Sequence, residues 1–232
     1  MPVAVITGAS QGLGIALATT LAHQGWGVVG DARDEQRLAA AFASLPGAGH
    51  VALAGDVADP ARRRRLAESA ERLGGADLLV NNASTLGASP LPTFADLDPR
   101  TYLRLLEVNV VAPLALVRNL LPQLHQRHGV VVNITSDASV EAYETWGGYG
   151  SSKAALDHAT RVLAAEEPDL RVYAVDPGDM RTAMQQAAFP GEDISDRPPP
   201  ESVAPRLLAL LGADLPSGRY RAADLSGTGV RT

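Results

Sequence analysis

The chain has 232 residues, 46% of them apolar, which is enough for one sizeable core but too short for two ample domains without obvious linker sequence. Its formal charge of −6 disfavours nucleic acid and acidic membrane surfaces as partners, and the absence of cysteine excludes disulfides, zinc-thiolate sites and a cysteine nucleophile. The chain does not open on a basic stretch followed by an apolar one, and no apolar run approaches the roughly 20 residues of a membrane helix, so a cytoplasmic protein without a nucleic-acid or membrane partner is expected.

Val3 to Thr7 is short, apolar and β-branched, and the glycine-studded run Thr7-Gly8-Ala9-Ser10-Gln11-Gly12-Leu13-Gly14 leads into a helical pattern from Leu13 to His23. This reads as strand, tight loop and helix, with free N–H groups at the helix start suited to a phosphate. Further strand-like runs at 27–31, 51–54, 78–81, 130–135 and 171–175 alternate with helical stretches rich in Ala, Leu and Arg. Repeated β-α units with right-handed crossovers predict a single-domain α/β fold, a doubly wound parallel sheet of strand order 3-2-1-4-5-6, extended by a seventh strand and covered by helices on both faces.

The end of the second strand bears on cofactor choice, because a carboxylate there accepts from a ribose 2′-hydroxyl while an arginine pairs with a 2′-phosphate. The sequence offers both, with Asp31 and Arg33 on either side of Ala32. The four arginines at 62–65 lie in a helical stretch near Glu68 and Glu71 and are read as a solvated face. Leu105 to Leu124 reads as a helix with Asn109 in its middle. Pro113, four residues on, lacks the N–H that the Asn109 carbonyl would accept from, so a bend is predicted. His125 and His128 share a helix side without a third ligand, and no metal site is expected.

Of 20 basic residues 19 are arginine, and the single lysine is Lys153 in Tyr149-Gly150-Ser151-Ser152-Lys153. Four residues apart on a helix, the phenol and ammonium project from one face. A cation beside a phenol favours the phenolate, and a phenol tuned in this way can give or take a proton. The stretch 179–201 lacks clear periodicity, ends in three prolines and is read as a substrate loop.

Taken in order, these motifs resemble the short-chain dehydrogenase/reductase family: TGxxxGxG after the first strand, Asn81-Asn82-Ala83-Ser84 after the fourth in place of NNAG, Ser136 thirteen residues before Tyr149, YxxxK, and Pro177-Gly178-Asp179-Met180-Arg181-Thr182 as PGxxxT. The resemblance spans Thr7 to Thr182 and fades beyond. It implies a nicotinamide cofactor bound by Gly8, Ser10, Gln11, Gly12, Leu13 and Gly14, by Asp56 and Val57 at the adenine, by Asn82 and Ala83, by Tyr149 and Lys153, and by Pro177, Gly178 and Thr182 at the nicotinamide end. In the family pattern the acid of NAD enzymes falls at Ala32 and the NADP-type arginine at Arg33, so NADP(H) is favoured over NAD(H), with Asp31 arguing the other way. The family assigns Tyr149 as general acid/base, Lys153 as the cation that lowers its pKa, Ser136 as orienting the substrate oxygen, and Asn109 as supporting a relay water. A homodimer or homotetramer acting on a small carbonyl or alcohol substrate is the implied form. The rival expectation is a non-catalytic, NADP-binding regulator on the same fold.

Overall fold

The computed structural model describes residues 1–213 and 215–225. Every residue of Val3–Ile6 (β1) is buried, as a strand covered by helices on both sides requires. Around it stand Gly27–Ala32 (β2), Val51–Ala54 (β3), Leu78–Asn81 (β4), Val130–Ile134 (β5), Arg171–Asp176 (β6) and Gly218–Arg221 (β7). All pair in parallel in one sheet of order β3-β2-β1-β4-β5-β6-β7. The expected doubly wound sheet is therefore present, and its seventh strand extends it beyond β6.

Helices Gly12–His23 (α1), Glu35–Ala43 (α2) and Pro200–Gly212 (α8) cover one face, where Ile6, Leu17, Leu21, Leu38, Val80 and Leu207 pack together. Helices Pro60–Arg72 (α3), Ala112–Arg127 (α5) and Gly147–Glu166 (α6) cover the other, around Val5, Leu66, Leu79, Leu116, Leu120 and Val131. Each fully buried leucine in these layers contributes roughly 1.5–3 kcal/mol of transfer free energy, so the sheet is a stiff base for the loops at its carboxyl edge.

The helix starts differ in a way that matters for the site. Asp34 accepts from Arg37 N–H, Asp59 from Ala61 N–H ahead of Pro60, and Asp98 from Thr101 N–H at the start of Pro99–Leu106 (α4). Gln11, at the start of α1, makes no such side-chain cap. The first N–H groups of α1 are left for something else, as an anion-binding terminus requires.

Three expectations change on contact with the fold. Pro113 does disturb the helix, but as a π-helical turn at Glu107–Val111 rather than a plain kink, with Ala112 N–H reaching back to the Glu107 carbonyl. The run Pro99–Arg127 is thereby a continuous 29-residue helix with a mean hydropathy of 1.4 in its most apolar window, so by length and composition it could cross a membrane. Here Leu105, Val108, Leu116, Leu120 and Leu124 on its inner side are buried in the protein. Among the four arginines, Arg63 does not face solvent: it is 7% exposed and donates to the Val57 carbonyl at 2.7 Å. The loop after β6 is not wholly irregular, since Ala183–Ala188 forms α7, capped by Thr182.

Candidate active site

At the carboxyl edge of β1 the chain must turn sharply into α1, and Gly8 and Gly12 take positive φ angles of 67° and 56° to do so. A Cβ at Gly14 would stand 2.2 Å from the Gly8 carbonyl oxygen, so only glycine lets α1 begin this close to the loop. The loop is fastened from the next strand. Thr7 Oγ1 accepts from the N–H groups of Asn82 and Ala83 at 3.0 and 2.9 Å, and Asn82 Nδ2 donates to the Thr7 carbonyl at 2.8 Å. The asparagine of the NNAS motif thus holds the glycine loop in shape.

Asp31 is turned under that loop. It is 1% exposed, and its Oδ1 accepts from Gly8 N–H at 3.1 Å. Burial pushes its carboxyl up to about 7, against the pull of the Gly8 hydrogen bond and Arg62. The exposed cations at this end are Arg33 and Arg37, and Arg37 also donates to Gln11 Oε1. Arg37 was not singled out from the sequence, although its place on the first turn of a helix following β2 gave a signal. Asp56 accepts from Ala58 N–H and is paired with Arg104 of α4, which also pairs with Glu107.

At the other end, Tyr149 and Lys153 are 8% and 2% exposed on α6. Lys153 Nζ donates to the Ile134 carbonyl at 2.8 Å and lies 5.6 Å from the centroid of the Tyr149 ring. The ammonium is turned inward to the phenol and away from solvent, as the helical spacing predicts. The phenol's net shift runs upward. Burial pushes the phenol above its ordinary range, Ser84 and Ser136 pull it down by hydrogen bonding, and the charges of Asp176 and Asp137 push it up. Burial also lowers Lys153 to about 8, with Asp157 acting against that. Desolvation disfavours both charged forms, the phenolate and the ammonium.

Ser136 lies just past β5, and its Oγ donates to Asp137 Oδ1 at 3.0 Å while accepting from Ala138 N–H. Of the neighbouring hydroxyls, Thr135 is 2% exposed, and Ser139 Oγ is engaged with the Ser136 carbonyl and Asp157. Asn109 is fully buried in the π turn, and its side chain is saturated. Oδ1 accepts from Ser84 Oγ and Thr85 N–H at 3.1 and 2.9 Å, and Nδ2 donates to the Thr85 carbonyl and Ser152 Oγ, each at 3.0 Å. The side chain that replaces the family's glycine, Ser84, therefore connects the phenol with Asn109 instead of blocking the cleft.

Gly8, Ser10, Gln11, Gly12, Leu13, Arg33, Asp56, Val57, Asn82, Ala83, Ser136, Tyr149, Lys153, Pro177, Gly178 and Thr182 line one cleft of about 1540 Å³. Gly14 and Asn109 stand behind its wall. Thr182 closes it opposite the glycine loop: a Cβ at Gly12 would be 3.5 Å from Thr182 Cγ2. Trp146 meets the Tyr149 ring edge-on at 5.8 Å and Phe189 at 5.7 Å, so the loop after β6 packs over the Tyr149 end. Tyr143 is exposed and donates to Asp137. Asp137, Asp176 and Arg219 also surround this end and were not anticipated. Among the described residues no group of side chains could hold a metal ion.

The sequence pattern of the short chain dehydrogenase family matches residues 2–193. Human dehydrogenase/reductase SDR family member 2, mitochondrial, is 35% identical over 200 residues, 83% of this chain and 70% of that protein. The fold is similar to an alcohol dehydrogenase from the archaeon Thermococcus sibiricus complexed with 5-hydroxy-NADP, with a TM-score of 0.86, 27% identity and coverage of 100% and 99% of the two chains. A short chain dehydrogenase from Shigella flexneri complexed with NADP gives a TM-score of 0.89 at 28% identity, with 96% and 97% covered.

Proposed function

Because the chain belongs to the short-chain dehydrogenase family, we propose that it is an NADP(H)-dependent oxidoreductase that interconverts a small carbonyl compound and its alcohol, with Tyr149 as general acid/base. The observation that carries this reading is the burial of Lys153 beside Tyr149, 5.6 Å from ring centroid to ammonium, at the inner end of a cleft whose outer end is a glycine loop over an uncapped helix. Electrostatic positioning polarises the carbonyl.

A dinucleotide fits the residues that line the outer half. The free N–H groups of α1 suit its pyrophosphate, Asp56 and Val57 its adenine, and Arg33 with Arg37 a 2′-phosphate. The hydrogen bond from Gly8 N–H to the buried Asp31 carboxyl supports leaving the 2′-position to the arginines. The NADP held by the Shigella flexneri neighbour adds support. Bound there, the nicotinamide supplies or accepts the hydride.

The chain's own part is the proton. Tyr149 donates from its hydroxyl to the oxygen of a carbonyl substrate, or withdraws a proton from an alcohol. Ser136 holds that oxygen at hydrogen-bonding distance, and Lys153, fixed by the Ile134 carbonyl, keeps a positive charge against the ring. Asn109, whose main-chain carbonyl has no N–H partner at Pro113, supports a relay water behind Lys153. The whole chain acts as one catalytic unit in the cytoplasm, with 179–201 as the substrate loop. It pairs with further copies through the helices carrying Asn109 and Tyr149, on which Leu103, Val111 and Val162 are exposed.

A panel of carbonyls and alcohols scored by NADPH oxidation or NADP reduction, repeated with NADH and NAD, tests the reading. Turnover with a higher kcat/KM for the phosphorylated cofactor supports it. Cofactor binding without turnover anywhere in the panel favours a non-catalytic regulator.

A further inference from the structure

Arg219 lies on β7, outside the residues that match the family pattern, yet its guanidinium reaches behind the catalytic end of the cleft. Nε donates to Asp157 Oδ2 of α6 at 3.1 Å. One Nη donates to the main-chain oxygen of Ser136 at 3.0 Å and lies 3.5 Å from Asp176 Oδ2 at the end of β6. Asp157 and Asp176 are 8% and 3% exposed, and Asp176 Oδ1 accepts from Gly178 N–H at 2.9 Å. One arginine thus stands between two buried carboxylates and grips the residue whose hydroxyl faces the cleft.

We infer that Arg219 is a positioning residue for the proton step: it fixes the Ser136 turn and offsets the Asp176 charge that faces Tyr149. This rests on Tyr149 being the acid/base. Buried like charges disfavour ionisation of a neighbouring phenol, and an arginine paired with one of them relieves the effect. The charges facing the phenol are Asp176, Asp137 and, from its own helix, Lys153. Those facing Asp176 are Asp137 on one side and Arg219 and Arg221 on the other. Ionised Asp176 raises the phenol's proton affinity, and the Arg219 cation paired with it cancels part of that charge's effect on the ring. Removing Arg219 leaves Asp176 opposed by Arg221 alone.

The test is the pH profile of NADP-dependent oxidation, using the alcohol that turns over fastest in the panel. Arg219→Gln should move the acid limb of kcat upward by about one pH unit, with roughly tenfold less activity on that limb. Arg219→Lys, which keeps the charge, should stay near the parent, and Arg219→Gln with Asp176→Asn should return to it. If Arg219→Gln does not fold, Asp176→Asn alone should move the limb downward. A parental limb in Arg219→Gln, or in Asp176→Asn, overturns the inference, as does a double variant that fails to return. Tyr149→Phe in the same assay separates the two levels: persistent turnover removes the acid/base reading itself, whereas an inactive Tyr149→Phe with an unmoved Arg219→Gln limb removes only the role of Arg219.

Discussion

The two ends of the cleft are made of different material. The cofactor end is built from backbone: glycine φ angles, bare N–H groups at the start of α1, and a loop held by Thr7 and Asn82. The chemical end is built from buried, interacting side chains, with Lys153 against the Tyr149 ring, Asp176 acting on that phenol, and Arg219 paired with Asp176. Backbone recognition is insensitive to pH and is lost by steric intrusion. Side-chain chemistry is set by desolvation and neighbouring charge, so it shifts with pH and with single substitutions. Changes at the inner end should therefore appear mainly in rate, and changes at the outer end mainly in binding.

The largest expected effect sharpens that division. Tyr149→Phe removes only the hydroxyl, and kcat should fall by about 10²–10⁴-fold while the dissociation constant for NADPH, measured by fluorescence, stays near the parent. An equal loss in binding would break the contrast.

Asp31 is the exception at the outer end, a titratable group beneath the backbone loop. Below its ordinary 3.8 both folded and unfolded states hold the proton. Between 3.8 and about 7 the unfolded chain releases it while the folded protein retains it, so stability falls as pH rises through that window and levels off above. Asp31→Asn keeps an acceptor for Gly8 N–H and removes the charge. Denaturant unfolding should find it more stable than the parent at pH 8 by roughly 2–4 kcal/mol, with no gain at pH 3. A constant difference at both pH values would show that Asp31 acts by packing alone.

Arg33 is exposed and gives a smaller effect. Arg33→Ala should weaken NADPH binding by about tenfold, consistent with roughly 1.5 kcal/mol for one charge-assisted contact at a solvated site, and leave NADH binding unchanged. Equal weakening of both cofactors would remove the arginine from 2′-phosphate recognition.

Much of this arrangement was legible in the sequence because it is local. Tyr149 and Lys153 share one helix, the glycine spacing dictates one turn, and short β-branched runs followed by helical ones dictate a parallel sheet. Arg63 was also legible, since it stands three, four and seven residues before the buried Leu66, Ala67 and Ala70, a helical inner stripe that the run of four arginines obscures. The π turn was half legible: Pro113 predicts a disturbance, but whether a helix kinks or widens depends on what packs against it. Arg219 was not legible, because it lies 83 residues from the Ser136 carbonyl it holds, and only the sheet order brings β7 to that place. The sign of the phenol's shift was equally hidden, since it depends on burial and on two carboxylates from other strands' ends.

The most direct measurement follows the hydride itself. Deuterium-labelled NADPH is incubated with the carbonyl that turns over fastest, and the alcohol product is analysed by mass spectrometry for the parent and for Tyr149→Phe. One deuterium per product molecule with the parent, and about 10²–10⁴-fold less labelled product in the same time with Tyr149→Phe, is the predicted result. Unlabelled product from the parent, or an equal amount of labelled product from both proteins, would contradict a hydride transfer that depends on the buried phenol.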